Sequence, residues 1–236
     1  MTGEQHWAKP VSQLHIAHEL PADAVNLNVE GRRLAGLTGG FGPMWQKTYC
    51  VDLGDAATPQ DVVREWKLHF PEFWPKGARF FKPGRSVEPG DVALINIKKS
   101  AAPTVSTGIL VLYADDVSFS FMCPEGHPFV GMITFSARRE DVRTIAQIQL
   151  FIRAADPISD IVMGLGGHRI EDNQWKHVLR QVAAHLGVVG AEPGHRSVRI
   201  DRKRQWKHAG NIRRSALLRS IPYALGKPFR LKRARL

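Results

Sequence analysis

Only two cysteines occur in 236 residues, Cys50 and Cys123, and neither belongs to a CxxC pair. Both lie in apolar, strand-like runs, where a small buried hydrophobe accounts for them better than a bridge or a metal ligand. Neither has a local basic setting that favours thiolate, and no serine occupies a GxSxG turn. Gly164-Leu165-Gly166-Gly167 lacks both the lysine of a phosphate loop and the GxGxxG spacing, so it reads as a joint leading into a helix. These absences withdraw support from classical nucleophilic hydrolases and from the common nucleotide-binding loops. No apolar run approaches the roughly 18 residues of a membrane span. The opening residues, with Glu4, His6, Trp7 and Lys9, lack the basic-then-apolar order of a secretion signal. The expectation is a cytoplasmic protein.

Acidic residues are scarce in one place. From His195 to Leu236 a single acid, Asp201, faces 14 Lys and Arg, a net charge of +13, whereas the whole chain carries +11. The first 194 residues therefore sum to −2, and the high isoelectric point, near 10.1, describes the end of the chain and not its body. The expected division is an irregular N-terminal arm over 1–40, a globular domain over 41–190 and a basic, flexible tail over 191–236. The arm contains Pro10, Pro21 and a glycine group from Gly36 to Gly42, and no chemistry is read there.

What is present in the body is a regular order of elements. The stretch 44–53, with Trp45, Tyr49 and Val51, predicts a strand closed by Gly54-Asp55. Thr58 stands at an N-cap, Pro59 at the first helical position and Asp61 in the first turn, and Val62, Trp66 and Phe70 share one helical face until Pro71 and Pro75 stop the helix. Six strand-like segments follow, near 78–82, 91–98, 105–113, 117–123, 129–138 and 144–154, spaced closely enough for antiparallel hairpins. Val117, Phe119, Phe121 and Cys123 alternate with Ser118, Ser120 and Met122, which predicts one buried face. A last helix is predicted over 169–186, its apolar stripe made by Trp175, Val178, Leu179, Val182 and Leu186.

This order, with the phrases Gly42-Pro43-Met44-Trp45-Gln46-Lys47 and Pro124-Glu125-Gly126-His127-Pro128 leading into Gly131-Met132-Ile133-Thr134-Phe135-Ser136, resembles the START-like, polyketide-cyclase and birch-pollen-allergen (SRPBCC) superfamily, in an uncharacterised branch. The resemblance covers roughly 41–190. It implies an α+β helix-grip fold, a curved antiparallel sheet wrapped around a long C-terminal helix, and an internal cavity for a hydrophobic small molecule such as a lipid, a quinone or a polyketide-like compound. No cofactor and no metal is expected. Candidate cavity residues on the concave faces are Phe119, Phe121, Phe135, Ile148, Leu150, Trp175 and Leu179, although for any one of them core packing is the plainer account. An alternative is a cyclase-type enzyme using His127, His168 and Asp172 at the cavity mouth, with His168 and Asp172 four residues apart on one helical face. First-turn acids that favour the helix dipole offer a plainer account of that group. The strand-borne polar residues Asn96, Tyr113, Gln147, Gln149 and Arg153 are further cavity candidates from which no pair can be singled out.

The tail interleaves Arg202, Lys203, Arg204, Arg213, Arg214, Lys232 and Arg233 with Trp206, Tyr223 and Phe229. Such a segment fits an anionic membrane surface or acidic partner, placing the protein at a membrane periphery. Nucleic acid, or a solvated tail without a partner, are the other readings.

Overall fold

The structure is a computed structural model that describes residues 3–98 and 104–223. Eight strands form one antiparallel sheet: β1 (Met44–Asp52), β2 (Ala78–Phe81), β3 (Val92–Ile97), β4 (Val105–Ala114), β5 (Ser118–Met122), β6 (Phe129–Glu140), β7 (Arg143–Ala154) and β8 (Gly194–Asp201). Their spatial order is β2-β3-β4-β5-β6-β7-β1-β8, so the hairpin run from β2 to β7 is continuous and the N-terminal strand closes beside β7. Among the described residues, α1 (Pro59–His69), α2 (Pro157–Val162) and α3 (His168–His185) accompany the sheet, and a further helical stretch covers 216–223. This is the α+β helix-grip arrangement, a curved sheet holding α3 on its inner face.

Local chemistry sets the helix starts. The Thr58 side chain accepts the Asp61 amide at 3.2 Å with Pro59 behind it, and Asp156 does the same for Ser159 ahead of α2, again with a proline at the first helical position. Between α2 and α3 the segment Met163–Gly167 forms a kink in which Leu165 and Gly166 leave the helical conformation, Gly166 at φ 112°.

The main core lies between the sheet and the helices. Val62, Val63 and Trp66 of α1 are wholly buried, and Trp66 meets Phe119 and Phe135 edge-on at 6.0 and 5.4 Å. Phe70, from the short 3₁₀ segment Phe70–Phe73 that follows α1, sits among Phe80, Phe119, Phe121 and Phe135 with ring centroids 4.9–5.7 Å away. Each such side chain contributes about 1.5–3 kcal/mol on burial.

The N-terminal arm has a role that its composition does not announce. Leu14 and Val29 are buried against Val92, Leu94 and Leu110, with Ile16, Leu20 and Ala24 beside them, so the arm covers the outer face of β3 and β4. Asn96 exchanges two hydrogen bonds with the Val25 backbone, at 2.8 and 2.9 Å, and so faces the arm and not the interior.

The expectation of a flexible tail from 191 fails over the described residues. β8 pairs with β1 in register from Cys50↔Gly194 to Met44↔Asp201, with one irregularity next to Met44. Its charges had hidden a strand: His195, Ser197 and Arg199 stand opposite Tyr49, Lys47 and Trp45, while the backbone satisfies the otherwise open edge of β1. The chain then returns across the molecule. Asn211 donates to the carbonyls of Gly39 and Ala155, and the Ala216 amide to that of Gly126 at 2.7 Å. Arg204 pairs with Asp160 at 2.7 Å and Arg214 with Glu125 at 2.8 Å. Phe229, Lys232 and Arg233 lie outside the described residues.

Candidate ligand-binding site

A cavity of about 210 Å³ lies between the N-terminal part of α3 and the strands β3 to β6. Its wall is predominantly apolar, with Ile95, Ile97, Ile109, Phe121, Ile133 and Ile170 among its members. Trp66 and Phe70 fill the space over β5 and β6, and Trp74 and Trp175 close one side of the space that remains.

Three polar groups in this wall stand out. Trp74 Nε1, Trp175 Nε1 and Thr107 Oγ1 are all buried, and none has a hydrogen-bond partner among the described residues. An unpaired buried donor costs about 1–3 kcal/mol, so three in one wall are expensive unless something supplies acceptors. The two indoles cross at 78° with centroids 6.1 Å apart.

His127 also belongs to the wall. Its Nδ1 lies against the Phe129 backbone, 3.0 Å from the amide nitrogen and 3.1 Å from the carbonyl oxygen, so one neutral tautomer accepts there and the other donates. Burial disfavours the imidazolium and pushes its pKa down from 6.5 to about 4, against a smaller opposing effect of the Phe129 backbone. Near neutral pH the ring is therefore a neutral N–H donor. The preceding turn is shaped for this: Gly126 has φ 89°, and the carbonyl of Arg214 approaches so closely that a Cβ there would collide with it. Cys123, another wall residue, is a free thiol whose pKa burial pushes up to about 12.

Behind the cavity lies a buried ionic network. Lys47, 1% exposed, points inward from β1 and donates to Glu171 Oε2 and Asp172 Oδ1, each at 2.8 Å. Tyr49 donates to the same Asp172 oxygen at 2.6 Å, and His195 stacks on the Tyr49 ring with its Nε2 3.7 Å from Asp172 Oδ2. Burial works to raise the Asp172 pKa, but hydrogen bonds from Lys47 and Tyr49, with the charges of Lys47 and His195, outweigh it and hold the carboxyl below its usual range. Burial, the Glu171 charge and donation to Asp172 raise the Tyr49 phenol far above its ordinary value. Glu171 belongs both to this network and to the cavity wall.

Of the seven apolar candidates, Phe121 and Trp175 line the cavity. Phe119, Phe135, Ile148, Leu150 and Leu179 are fully buried and belong to the packed core, where Phe119 and Phe135 stack at 4.8 Å. His127, His168 and Asp172 do not form one constellation. His127 is in the wall, Asp172 is tied to β1, and His168 lies against Trp45 with ring centroids 4.8 Å apart. Among the strand-borne polar residues, Tyr113 donates to Asp115, Gln147 accepts from Arg138, and Arg153 pairs with Asp201 at 2.6 Å. Lys47 is the functional-looking residue the sequence reading missed. Its phase was the available signal, because Trp45, Lys47, Tyr49 and Val51 alternate together and a lysine in that series must face the core.

No family model and no curated protein matches the chain. Solved structures are similar to it in part. TTHA0849 from Thermus thermophilus is 15% identical, with 61% of this chain and 97% of that one covered and a TM-score of 0.46. The di-domain ARO/CYC StfQ from the steffimycin biosynthetic pathway is 12% identical over 61% of this chain and 51% of its own, at a TM-score of 0.45. Ara h 8.0201 is 10% identical over 60% and 97%, at 0.43. The helix-grip description rests on this chain's own strand order and gripped helix.

Proposed function

We propose that this protein binds a small hydrophobic molecule that carries hydrogen-bond acceptors. The observation that carries this reading is the coincidence, in one apolar wall, of three unpartnered buried donors with the neutral imidazole of His127. A ligand with carbonyl or ether oxygens would offset the desolvation of those groups, which gives orientation as well as affinity. Size narrows the class. A cavity of about 150 Å³ accommodates benzene, so about 210 Å³ suits one substituted ring or a compact fused pair and not a two-chain lipid. Of the expected ligand types, a simple quinone fits best.

The test is fluorescence titration of the full chain with 1,4-naphthoquinone, using Trp74 and Trp175 as reporters, beside naphthalene, which has the same rings without the oxygens. Saturable quenching at least tenfold tighter for the quinone, lost in Trp175→Phe, is the expected result. Equal weak binding of both would defeat the reading, as would an interior that excludes both. Turnover on such a ligand is a second reading, supported by the presence of the His127 imidazole and the Glu171 carboxyl in the wall. It predicts that His127→Gln abolishes conversion of a bound ring compound while binding persists.

The exposed cations Arg202, Lys203 and Arg213 support docking to an acidic surface such as an anionic membrane, since Arg204 and Arg214 are already engaged by carboxylates of the body. Charge reversal of the three, assayed on anionic vesicles and on DNA and RNA in a salt series, tests it. Binding that survives reversal would remove the reading.

A further inference from the structure

The ends of α1 and α3 meet at a group of side chains that has no part in the cavity. Glu65 and His69 stand one turn apart on α1, and His185 closes α3 against them. His185 Nε2 lies 3.2 Å from Glu65 Oε2, and His69 Nε2 lies 3.7 Å from the same oxygen. The three ligand atoms all fall within 4.8 Å of one another. Zinc bonds of about 2.0–2.1 Å in a tetrahedron place neighbouring ligand atoms about 3.3 Å apart, so small side-chain adjustments bring these three into a coordination shell.

The surroundings are those of a metal centre and not merely of an ion pair. Glu72 Oε1 lies 2.9 Å from His69 Nδ1, which fixes the ring and aims Nε2 at the other ligands, the carboxylate–histidine device that supports bound zinc. Phe73 packs edge-on against His185 at 5.4 Å, and the two imidazoles lie 4.7 Å apart. Arg64 approaches the other oxygen of Glu65, Oε1, at 3.3 Å while pairing with Asp61, so Oε2 is the oxygen turned toward the two imidazoles. All three ligand side chains are roughly a third exposed, which leaves an entry path and room for a water.

We infer that Glu65, His69 and His185 form a binding site for a divalent transition metal, zinc above all, with two imidazoles and one carboxylate from the protein and an open fourth position. The donor set selects zinc, cobalt or nickel over magnesium or calcium, which prefer all-oxygen shells. The site is separate from the cavity: along α3, His185 lies ten residues beyond Trp175, about 15 Å of helix. Its occupation ties the last turn of α3 to α1.

The decisive experiment uses the untagged full chain. Titration with zinc chloride is expected to show one tight equivalent and a raised melting temperature, and cobalt chloride is expected to give the intense visible bands of a four-coordinate N/O site. His69→Ala and His185→Ala should each lose the equivalent and the cobalt spectrum, and Glu72→Gln should weaken zinc about 10- to 100-fold. Metal-free melting of each variant reports folding separately. Failure of the parent chain to bind zinc, or retention of the same equivalent and spectrum in both histidine variants, overturns the assignment.

Discussion

Lys47 of β1 donates to Glu171 of α3 at 2.8 Å, and both residues are buried. The contact joins the sheet to the helix it grips at the point where Glu171 enters the cavity wall. Because Asp172 takes the same ammonium at 2.8 Å, two carboxylates share one lysine.

Breaking that network from one side should be costly. Lys47→Met leaves two carboxylates without their cation in a partly desolvated place, and a loss of about 3–5 kcal/mol is expected in urea unfolding. The double variant Lys47→Met/Glu171→Leu should recover part of it, because less charge stays unpaired. A loss below about 1 kcal/mol for the single variant would show that water reaches the site.

Acid should weaken the fold in two separate windows. His127 has a folded pKa near 4 against 6.5 ordinarily, so the unfolded chain binds more protons between these values and stability falls as pH drops from 6.5 toward 4. Asp172, depressed below 3.8 in the fold, contributes stability that is present above 3.8 and lost as pH falls further. His127→Gln should flatten the first limb and spare the second, as measured by urea midpoints across pH.

Thr107 offers a test in which stability and binding separate. Its hydroxyl is buried and unpartnered, so Thr107→Val removes an unsatisfied group at nearly constant volume. Unfolding should be unchanged or shifted upward by about 1 kcal/mol, while the affinity for naphthoquinone falls severalfold. A clear loss of stability would mean that the hydroxyl has a partner in solution.

Truncation after Gly190 should not behave as the removal of a loose tail. It deletes β8, exposes the hydrogen-bonding edge of β1 and uncovers the Tyr49 ring that His195 stacks on. The shortened chain is expected to melt lower and to associate through that edge, which size-exclusion chromatography would detect. The milder Asp201→Asn, which weakens the 2.6 Å pair with buried Arg153, should cost about 1–3 kcal/mol without association.

Much of the fold was legible because its signals are local. The Thr58-Pro59 cap, the alternation around Phe119 and Phe121 and the stripe through Trp175 and Leu179 each act within a few residues, and the helix-grip order follows from their succession. β8 was obscured because its alternation is carried by Arg, Ser and His, which composition reads as a solvated run. The arm was obscured for a related reason: Leu14 and Val29 are isolated apolar residues without periodicity, and only the outer face of β3 and β4 gives them something to bury against.

Local sequence specified β1, α1, the run from β2 to β7 and α3, in that order, and the concentration of positive charge toward the end of the chain, since caps, turn residues and side-chain periodicity depend on neighbours along the chain. Tertiary structure alone decided which of the inward-facing residues became cavity and which became core. That outcome depends on how far Trp66 and Phe70 reach over the sheet, a matter of volumes meeting across long sequence separations. It likewise decided that Lys47 meets Glu171, and that Glu65 and His69 meet His185, because each of these encounters joins residues more than a hundred positions apart.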